Sequence, residues 1–543
     1  MTTSIMTIMN IANQGLYAAQ QSLQVTGQNI ANVNTEGYSR QEAVYEALSN
    51  LTGVTISNII QMRDAFLDTR MGYALQDYGK AEIKQTFIER VETIVDETNQ
   101  DGIGVALDDF FQALQDLTLD PGGTTERELV RAQAEELCQT MQSTYQLLLN
   151  EQAEANREVA SIVSSVNEIL DAIANINKTL LGSTQGSNEL FDQRQVLIND
   201  LQELIPSTVI NGDGEFFIYA ASGMPLVINV TANELVVHPD ATNDGFYDVF
   251  VRDNAGLEQN VTDYITTSKL GGLLEIRDSL IPDQLRWIDE AAAHLATEFN
   301  ILHQTGIDLD GDTGVNFFEP VGVAFAPEAG NSLGAQISSG TVLDQTLLTF
   351  DDYAVVFTDP TTFDVVNVST GATVISGAAY ASGVTVSFDG IEITLGDLSG
   401  GPQTGDTFSV NTIDNAAANI SVSADIRASS SNIAAGLSNA ASDNENLLLL
   451  LELEDAGIVD GLALRNFINT HVADVGLKAS QAKSELIAQD TIVNQISGYV
   501  EEISGVSLDE ESTNLIIFQR AYQASARMIS AMDEILQTLI NIV

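Results

Sequence analysis

Both ends of this sequence carry residues at alternating intervals of four and three, which is the spacing of a heptad seam. Near the N-terminus the seam runs from Ile5 to Val33, and Thr26 is its one interruption. Near the C-terminus a second seam runs from Leu515 to Val543. Because a sustained heptad repeat keeps one face of a helix against a partner, both ends are predicted to be long helices. The spacing leaves open antiparallel or parallel pairing, and an intramolecular core or a seam between subunits.

The N-terminal helix has an uncharged polar face. No side chain from Met1 to Thr35 is charged, and the residues between the seam positions are mostly Gln, Asn, Ser and Thr. Helices that choose their partners by salt bridges carry Glu and Lys beside the seam. An uncharged face therefore predicts a helix that is surrounded by other protein on most sides.

Further helices are predicted inside these ends. A third seam runs from Val475 to Ile503, and Ser504-Gly505 predicts a break before the C-terminal helix. After the Pro-Gly-Gly break at 121–123, Thr125 and Glu128 form a capping-box pattern that predicts the start of a rod-like helix of nearly sixty residues. A segment from about Leu270 to His303 has helical spacing as well.

Two stretches alternate with period two and predict β-structure, residues 207–265 and 320–426. In the second, Asp389-Gly390 joins two alternating runs and predicts a hairpin with a type I′ turn. No Lys or Arg occurs between Arg286 and Arg427, although that stretch contains 19 Asp and Glu. This shift in composition predicts a separate inserted domain with an acidic surface.

The predicted fold class is multidomain α+β, with terminal heptad helices forming an α-helical coiled-coil and rod, and β-rich domains inserted in the middle of the chain. We expect four units. They are a terminal coiled-coil assembly domain (1–70 and 505–543), a helical rod (71–206, 266–305 and 427–504), a small β-rich insertion (207–265) and an acidic outer β-rich domain (306–426).

The charge balance excludes two classes of partner. The formal net charge is −55, from 76 acidic and 21 basic residues, whereas nucleic acids and anionic membranes are bound by clustered Lys and Arg. We expect neither as a partner, and the ordinary role of such acidity is solubility in a salty medium. The single cysteine, Cys138, permits no intramolecular disulfide. There is no run of 18 apolar residues, and no basic residue precedes Arg40, so neither a transmembrane helix nor a cleaved signal peptide is expected.

No apparatus for catalysis is visible in the sequence. There is no nucleophile elbow, P-loop, HExxH or CxxC motif, and the four histidines are scattered. We therefore expect neither an enzyme nor a cofactor. One segment approaches the spacing of a calcium loop, with Asp308, Asp310, Asp312 and Glu319, but Thr313 stands where the sharp turn needs glycine. An Asp/Gly turn leading into the outer domain is the favoured interpretation of this segment.

Two segments carry a resemblance that is more specific than periodicity. Residues 29–41, Asn-Ile-Ala-Asn-Val-Asn-Thr-Glu-Gly-Tyr-Ser-Arg-Gln, resemble the N-terminal signature of flagellar rod, hook and hook-associated proteins. Their Tyr-Ser-Arg-Gln ending is similar to the version in the hook-associated protein 1 family. Residues 504–511 and 514–527 resemble the C-terminal block of that family. The internal stretches 188–194, 269–274 and 306–318 agree with it as well.

The resemblance implies a structural role at the junction between the hook and the filament of a bacterial flagellum. It implies a homo-oligomeric ring or tube that contacts the hook protein and a second hook-associated junction protein. It also implies an extracellular location, export through the flagellar type III channel without a cleaved signal peptide, and a cytoplasmic export chaperone that binds the C-terminal helix.

The residues expected at the assembly interface come from both ends. The N-terminal set is Ile5, Met9, Leu16, Leu23, Ile30, Asn32, Asn34, Gly37, Tyr38 and Arg40. The C-terminal set is Leu515, Phe518, Tyr522, Ile529, Met532, Leu536 and Leu539. An alternative from another class is a flagellar axial protein whose acidic β-domain acts as a surface adhesion or cation-binding module.

Overall fold

The computed structural model describes residues 2–48, 53–96, 102–182, 187–212, 215–240, 243, 245–328, 330–332 and 334–542. It confirms the predicted fold class, because long helices at both ends enclose a β-rich middle. The helices are α1 (Thr2–Ala31), α2 (Ala65–Val95), α3 (Ile103–Leu119), α4 (Thr124–Gly182), α5 (Ser187–Leu204), α6 (Ser268–Glu275), α7 (Ile281–His303), α8 (Ala416–Asn419), α9 (Ala424–Ala428), α10 (Glu445–Glu452), α11 (Leu464–Ser504) and α12 (Leu508–Ile542). A π-helical turn, Ile276–Leu280, joins α6 to α7, and short 3₁₀ turns lie at Thr262–Tyr264, Gln345–Leu347 and Ser430–Asn432.

The strands form small antiparallel sheets. They are β1 (Gln41–Ala47), β2 (Val54–Gln61), β3 (Ser207–Gly212), β4 (Glu215–Ala220), β5 (Pro225–Ile228), β6 (Thr231–Ala232), β7 (Glu234–Pro239), β8 (Tyr247–Arg252), β9 (Glu258–Asn260), β10 (Ala324–Pro327), β11 (Ala335–Val342), β12 (Tyr353–Asp359), β13 (Thr362–Asn367), β14 (Thr373–Ala379), β15 (Val384–Phe388), β16 (Ile391–Asp397) and β17 (Thr407–Asn411). β1 and β2 make a hairpin, and β3 to β9 make two sheets with the orders β3-β4-β5-β6 and β7-β8-β9. The remaining strands form a second pair of sheets, β10-β17-β12-β13-β14 and β11-β16-β15.

The chain ends pair in two antiparallel layers. α1 packs on α12, and a Cβ added at Gly15 would lie 3.0 Å from the Ser525 hydroxyl. α2 packs on α11, where Ile88 contacts Ala479 and Ala482. Glu511 near the start of α12 meets Arg40 beyond the end of α1, and Gly476 near the start of α11 lies beside Glu92 near the end of α2, so both pairs are antiparallel. The break predicted at Ser504-Gly505 is confirmed, because α11 ends at Ser504 and α12 begins at Leu508.

The rod is built around α4, which has 59 residues. The predicted capping box at its start is wrong: the helix begins at Thr124, so Thr125 already lies in its first turn. The Glu128 carboxylate instead accepts a hydrogen bond from the Ser430 hydroxyl at 2.7 Å and pairs with Arg131. The Glu128 side chain, which the local spacing predicts to cap the helix, makes tertiary contacts instead.

One segment of α4 is apolar. It is the one helix among the described residues that is long and apolar enough to cross a membrane, with a mean hydropathy of 1.3 over 18 residues. In the fold, Val159, Val166 and Leu170 are fully buried against the rest of the rod. The apolar stripe of α4 is therefore a core stripe in this structure.

The outer β-rich region has a core of its own. Tyr353, Phe357, Phe363 and Phe408 are among the buried residues between its two sheets, and they form a cluster separate from that of the rod. The predicted type I′ hairpin is confirmed, since Phe388 pairs with Ile391 and both turn residues have positive φ, 42° at Asp389 and 80° at Gly390.

Candidate assembly interface

The two ends of the chain meet at an elbow, where the loop after α1 touches the break between α11 and α12. The Arg40 backbone N–H donates to the Ser504 carbonyl oxygen at 2.8 Å. The Arg40 guanidinium binds Glu511 Oε1 at 2.9 Å and lies 3.5 Å from Glu510. Glu511 is 2% exposed, so a buried carboxylate in the first turn of α12 is matched by one arginine. These contacts fix the direction in which α12 leaves α11.

Asn29 closes the loop from inside. Its amide nitrogen donates to the Gln41 carbonyl oxygen at 3.0 Å, and its side-chain oxygen accepts the Gln41 backbone N–H at 3.0 Å. The Tyr38 hydroxyl donates to the same oxygen at 2.8 Å. Because a buried amide with three hydrogen bonds specifies a single arrangement, Asn29 ties the end of α1 to the start of β1.

Asp192 of α5 holds the loop from outside. It accepts hydrogen bonds from the Ser39 backbone N–H at 3.2 Å and from the Gln61 amide at 2.8 Å, and Arg63 lies 3.7 Å away. Burial raises the pKa of Asp192, while these donors and the Arg63 charge oppose the shift. Burial, together with the charges of Asp192, Glu189 and Glu511, raises the pKa of Tyr38 to about 12. The elbow is thus a network of polar contacts among the loop after α1, helix α5 and the start of α12, which are distant in sequence.

Gly37 sits at the tightest point of the loop. Its φ is +73°, and a Cβ there would lie 2.4 Å from a methyl group of Val196 in α5. Both the backbone conformation and the close approach require glycine.

The structure places the N-terminal set in two environments. Ile5, Met9, Leu16, Leu23 and Ile30 are half-buried along α1. In the loop, Asn32, Tyr38 and Arg40 are half-buried, whereas Asn34 and Gly37 are exposed. The most buried side chains of α1 are small ones such as Ala12, Ala18 and Ser22. Ser22 faces the β1–β2 hairpin, where its hydroxyl bonds to that of Tyr45.

The C-terminal set lies along one face of α12. Leu515, Phe518, Ile529, Met532 and Leu536 are half-buried, and Tyr522 is 38% exposed. The side chain of Leu539 lies outside the described part of the structure, as does Val543. Among the described side chains of α12, Glu511 alone is buried, so most of this helix is uncovered.

A second apolar stripe on α12 lies outside the predicted interface set. It has the same alternation of four and three as the seam, and every member is exposed: Ile517, Ala521, Ala524, Met528, Ala531 and Ile535. Ile517 is 54% exposed, Met528 42% and Ile535 43%. At 100° per residue this stripe lies about a quarter turn from the seam that faces α1. The spacing was present in the sequence, but the first seam had already accounted for the helix.

The acidic turn before the outer domain does not gather its four carboxylates. Asp308 accepts the backbone N–H groups of Asp310 and Asp312 at 2.9 and 3.0 Å, as in an Asp-based turn. Glu319 instead accepts the Ala424 backbone N–H at 2.9 Å and lies 3.7 Å from Arg427. Within the described residues, no group of three or more His, Cys, Asp and Glu side chains is placed to hold a metal ion.

Four family models match the chain. The helical domain of flagellar hook-associated protein FlgK matches residues 88–318, and the D2-like domain of flagellar hook-associated protein 1 matches residues 326–412. Towards the ends, the flagella basal body rod protein model matches residues 9–38, and the C-terminal model of basal body rod FlgEFG proteins matches residues 496–542. The two terminal matches cover parts of α1 and α12 and include the second stripe.

Curated relatives align along the whole chain. Flagellar hook-associated protein 1 of Salmonella typhimurium is 28% identical over 98% of this chain and 99% of its own length. The protein of the same description from Bacillus subtilis is 25% identical over 99% of this chain and 98% of its own. The solved structure of the flagellar hook junction protein FlgK from Burkholderia pseudomallei superposes with a TM-score of 0.68 at 18% identity, covering 80% of this chain and all of that one. That likeness shows a shared fold.

Proposed function

The chain belongs to the flagellar hook-associated protein 1 family, and from that premise we propose that copies of it join through the exposed second stripe of α12. It is a structural component of the junction between the flagellar hook and filament. The stripe that runs from Ile517 to Ile535 supports the proposal, because apolar helix faces of soluble proteins are ordinarily covered. Burying an Ile or Met side chain contributes about 1.5–3 kcal/mol, which is partly offset by the ordering of the helices.

The proposed assembly is a tube of identical subunits with α1 and α12 on the inside. The seam that faces α1 holds the two helices of one copy together, and the second stripe meets the next copy. The residues expected at the interface, from Ile5 to Arg40 and from Leu515 to Leu539, thereby divide into two roles. The α1–α12 seam serves the pairing within a subunit, and the Asn32–Arg40 loop with its elbow sets the angle of that pair.

The hook and filament supply the partners. The proposed neighbours are the hook protein on one side and a second hook-associated junction protein on the other. The proposed export route is the flagellar type III channel. A cytoplasmic chaperone bound to α12 would cover the apolar stripe before assembly. In this proposal the chain has a structural role without catalysis. The proposal also keeps the four predicted units, which are 1–70 with 505–543, the helical rod, 207–265 and 306–426.

The test is a double substitution in the stripe, Met528→Asp with Ile535→Asp, in cells that lack their own copy. Two carboxylates in the stripe oppose its burial against the next copy, so hooks should form without attached filaments. Gln519→Asp with Gln537→Asp is the matched control, since both glutamines are exposed on α12 away from the two stripes. Comparing secreted with cell-retained protein separates an export defect from an assembly defect. Normal filaments on the double variant would contradict the proposal.

A further inference from the structure

A groove opens beside the elbow, between the loop after α1 and the facing ends of α4 and α5. It has a volume of about 650 Å³. Ile176, Val196 and Leu197 supply its apolar lining, and Glu36 and Glu189 are exposed carboxylates among its lining residues. The described residues that line it include no Lys or Arg.

Two carboxylates of this groove have no cationic partner among the residues that the structure describes. Glu36 and Glu189 make no ion pair in the described part of the chain. Burial, followed by the charges of Glu203 and Glu36, raises the pKa of nearby Asp200. Glu189 acts in the same direction on Tyr38. Two exposed carboxylates without a cationic partner, close to other acidic groups, are a suitable site for a cation from outside the subunit.

The outer face of α12 carries the complementary pattern. Arg520 and Arg527 are exposed and make no ion pair or hydrogen bond among the described residues. They are seven residues apart, so they lie on the same side of the helix, next to the stripe from Ile517 to Ile535. In a chain with 76 acidic and 21 basic residues, most described cations already have acidic partners. Two adjacent free arginines on one helix face are therefore conspicuous.

We propose that the groove at the elbow receives the arginine-bearing face of α12 from a second copy of this chain, with Arg520 between Glu36 and Glu189. The apolar floor then meets the neighbouring side chains of the stripe. Within one subunit Arg520 makes no ion pair among the described residues, and by the spacing of 100° per residue it lies on the side of α12 opposite the seam that faces α1. Arg520 is nine residues beyond Glu511, so at about 1.5 Å per residue a neighbour shifted by about 14 Å along the helix brings it level with the groove. The inference rests on the proposed function and adds the surface that the second copy occupies.

Cross-linking of mixed populations tests the contact directly. One full-length population carries Glu36→Cys and the other Arg520→Cys, both with Cys138→Ser so that no other thiol is present. Under mild oxidation, assembled mixtures should yield a disulfide-linked dimer that neither population yields when assembled alone. A third population with Lys483→Cys replaces the Arg520 variant as the control, because Lys483 is exposed and unpaired on α11. Equal cross-linking of the two mixtures would overturn the proposal.

Charge reversal provides an independent test in cells that lack their own copy. Glu36→Arg with Glu189→Arg, or Arg520→Glu with Arg527→Glu, should each lower the number of attached filaments about tenfold. The combination of all four changes restores opposite charges and should recover most of them, while Lys483→Glu should have no effect. If both charge-reversed variants attach filaments normally but the Met528→Asp, Ile535→Asp variant does not, the groove contact is refuted and the stripe stands. If all of them attach normally, the proposed function fails as well.

Discussion

At the scale of single residues, the elbow depends on side chains that satisfy several partners at once. Asn29 bonds to Gln41 twice and to Tyr38 once, and Asp192 accepts hydrogen bonds from Ser39 and Gln61. Removal of one member leaves buried polar groups of the others unpaired, which costs about 1–3 kcal/mol each. The same residues therefore fix one geometry of the elbow.

Gly37→Ala should destabilise the elbow, whereas Gly27→Ala should not. At Gly37 the φ of +73° and the 2.4 Å approach to Val196 both oppose a Cβ, and we expect a loss of about 1–3 kcal/mol. At Gly27, in α1, nothing lies within 4 Å of an added Cβ, so alanine should stabilise the helix by up to about 1 kcal/mol. Chemical denaturation and hydrogen exchange of the 32–40 loop measure both changes.

The second variant Val196→Ala separates the two causes at Gly37. It removes the methyl contact but leaves the backbone conformation, so the double variant Gly37→Ala, Val196→Ala should recover part of the loss. Equal destabilisation by Gly37→Ala and Gly27→Ala would contradict this account of the loop.

His303 makes the rod sensitive to acid. It is fully buried, with Nδ1 2.6 Å from the Val315 carbonyl oxygen and Nε2 accepting the Ala434 backbone N–H at 2.9 Å, so the ring is neutral. Burial lowers the pKa of His303 to about 4. Since the unfolded chain binds this proton near pH 6.5, the contribution is complete above that pH and is lost as the pH falls towards 4.

Between about pH 7 and about pH 5, His303 should therefore remove about 2 kcal/mol from the free energy of unfolding. The non-titrating variant His303→Asn, which keeps a donor towards Val315, should be less stable at neutral pH but lose less on acidification. Denaturation at the two pH values measures the difference, with His238→Asn as the control, because the His238 side chain is 45% exposed and bonds to Glu258 at the surface. An unchanged difference in the His303 variant would contradict the prediction.

At the scale of elements, α12 depends on α1 while the rod has a core of its own. The buried cluster of the rod draws on α2 to α11 and includes no residue of α12 among those described. An isolated helix is marginal in water, so α12 owes its order to the α1 seam and to neighbouring copies.

Deletion of residues 515–543, or Leu536→Asp within the seam, should abolish junction assembly and leave the rod folded. The deletion should remove helical circular dichroism from α12 and from the unpaired α1, while the main thermal transition shifts by no more than a few degrees. Leu119→Asp, at a side chain that is 85% exposed in the rod, is the control substitution. A large fall in the main transition of the deletion variant would show that α12 belongs to the folding unit of the rod.

At the scale of the whole molecule, the outer β-rich region is a separate hydrophobic unit on an acidic chain. Its strands enter and leave side by side, because Ala324 and Asn411 are partners in the β10–β17 register. Replacement of residues 325–410 by a short Gly-Asn turn should therefore leave the rod folded. Attached filaments and motility should survive, since the proposed assembly surfaces lie on α1, α12 and the elbow.

The same excision separates two classes of function. If motility survives but adhesion or cation binding is lost, the outer region is a surface module added to a structural protein. Loss of filaments from an excised chain whose rod remains folded and is exported would contradict the placement of the assembly surfaces. The full-length chain with Val368→Ser, at a side chain that is 58% exposed in the outer region, controls for changes at the outer surface.

The sequence by itself determined the regular elements and the pairing capacity of this chain. Heptad spacing predicted the terminal helices, Ser504-Gly505 predicted the break between α11 and α12, and Asp389-Gly390 predicted the hairpin. Each of these features depends on residues that are close together in the chain. The family resemblance in residues 29–41 and 504–527 gave the structural role at the junction. For the elbow, the family resemblance indicated Tyr38, Arg40 and residues 188–194, but it did not show that these residues lie close together.

Tertiary structure decided which surfaces are covered. α12 has two stripes of equal regularity, and only packing shows that α1 takes one and leaves the other open. Glu128 accepts a hydrogen bond from Ser430 instead of capping α4, and Glu319 accepts one from Ala424 instead of joining the acidic turn. In each case the partner is at least 100 positions away in the chain. Periodicity records what a segment can bury, whereas the choice between competing partners depends on contacts among segments that are distant in the chain.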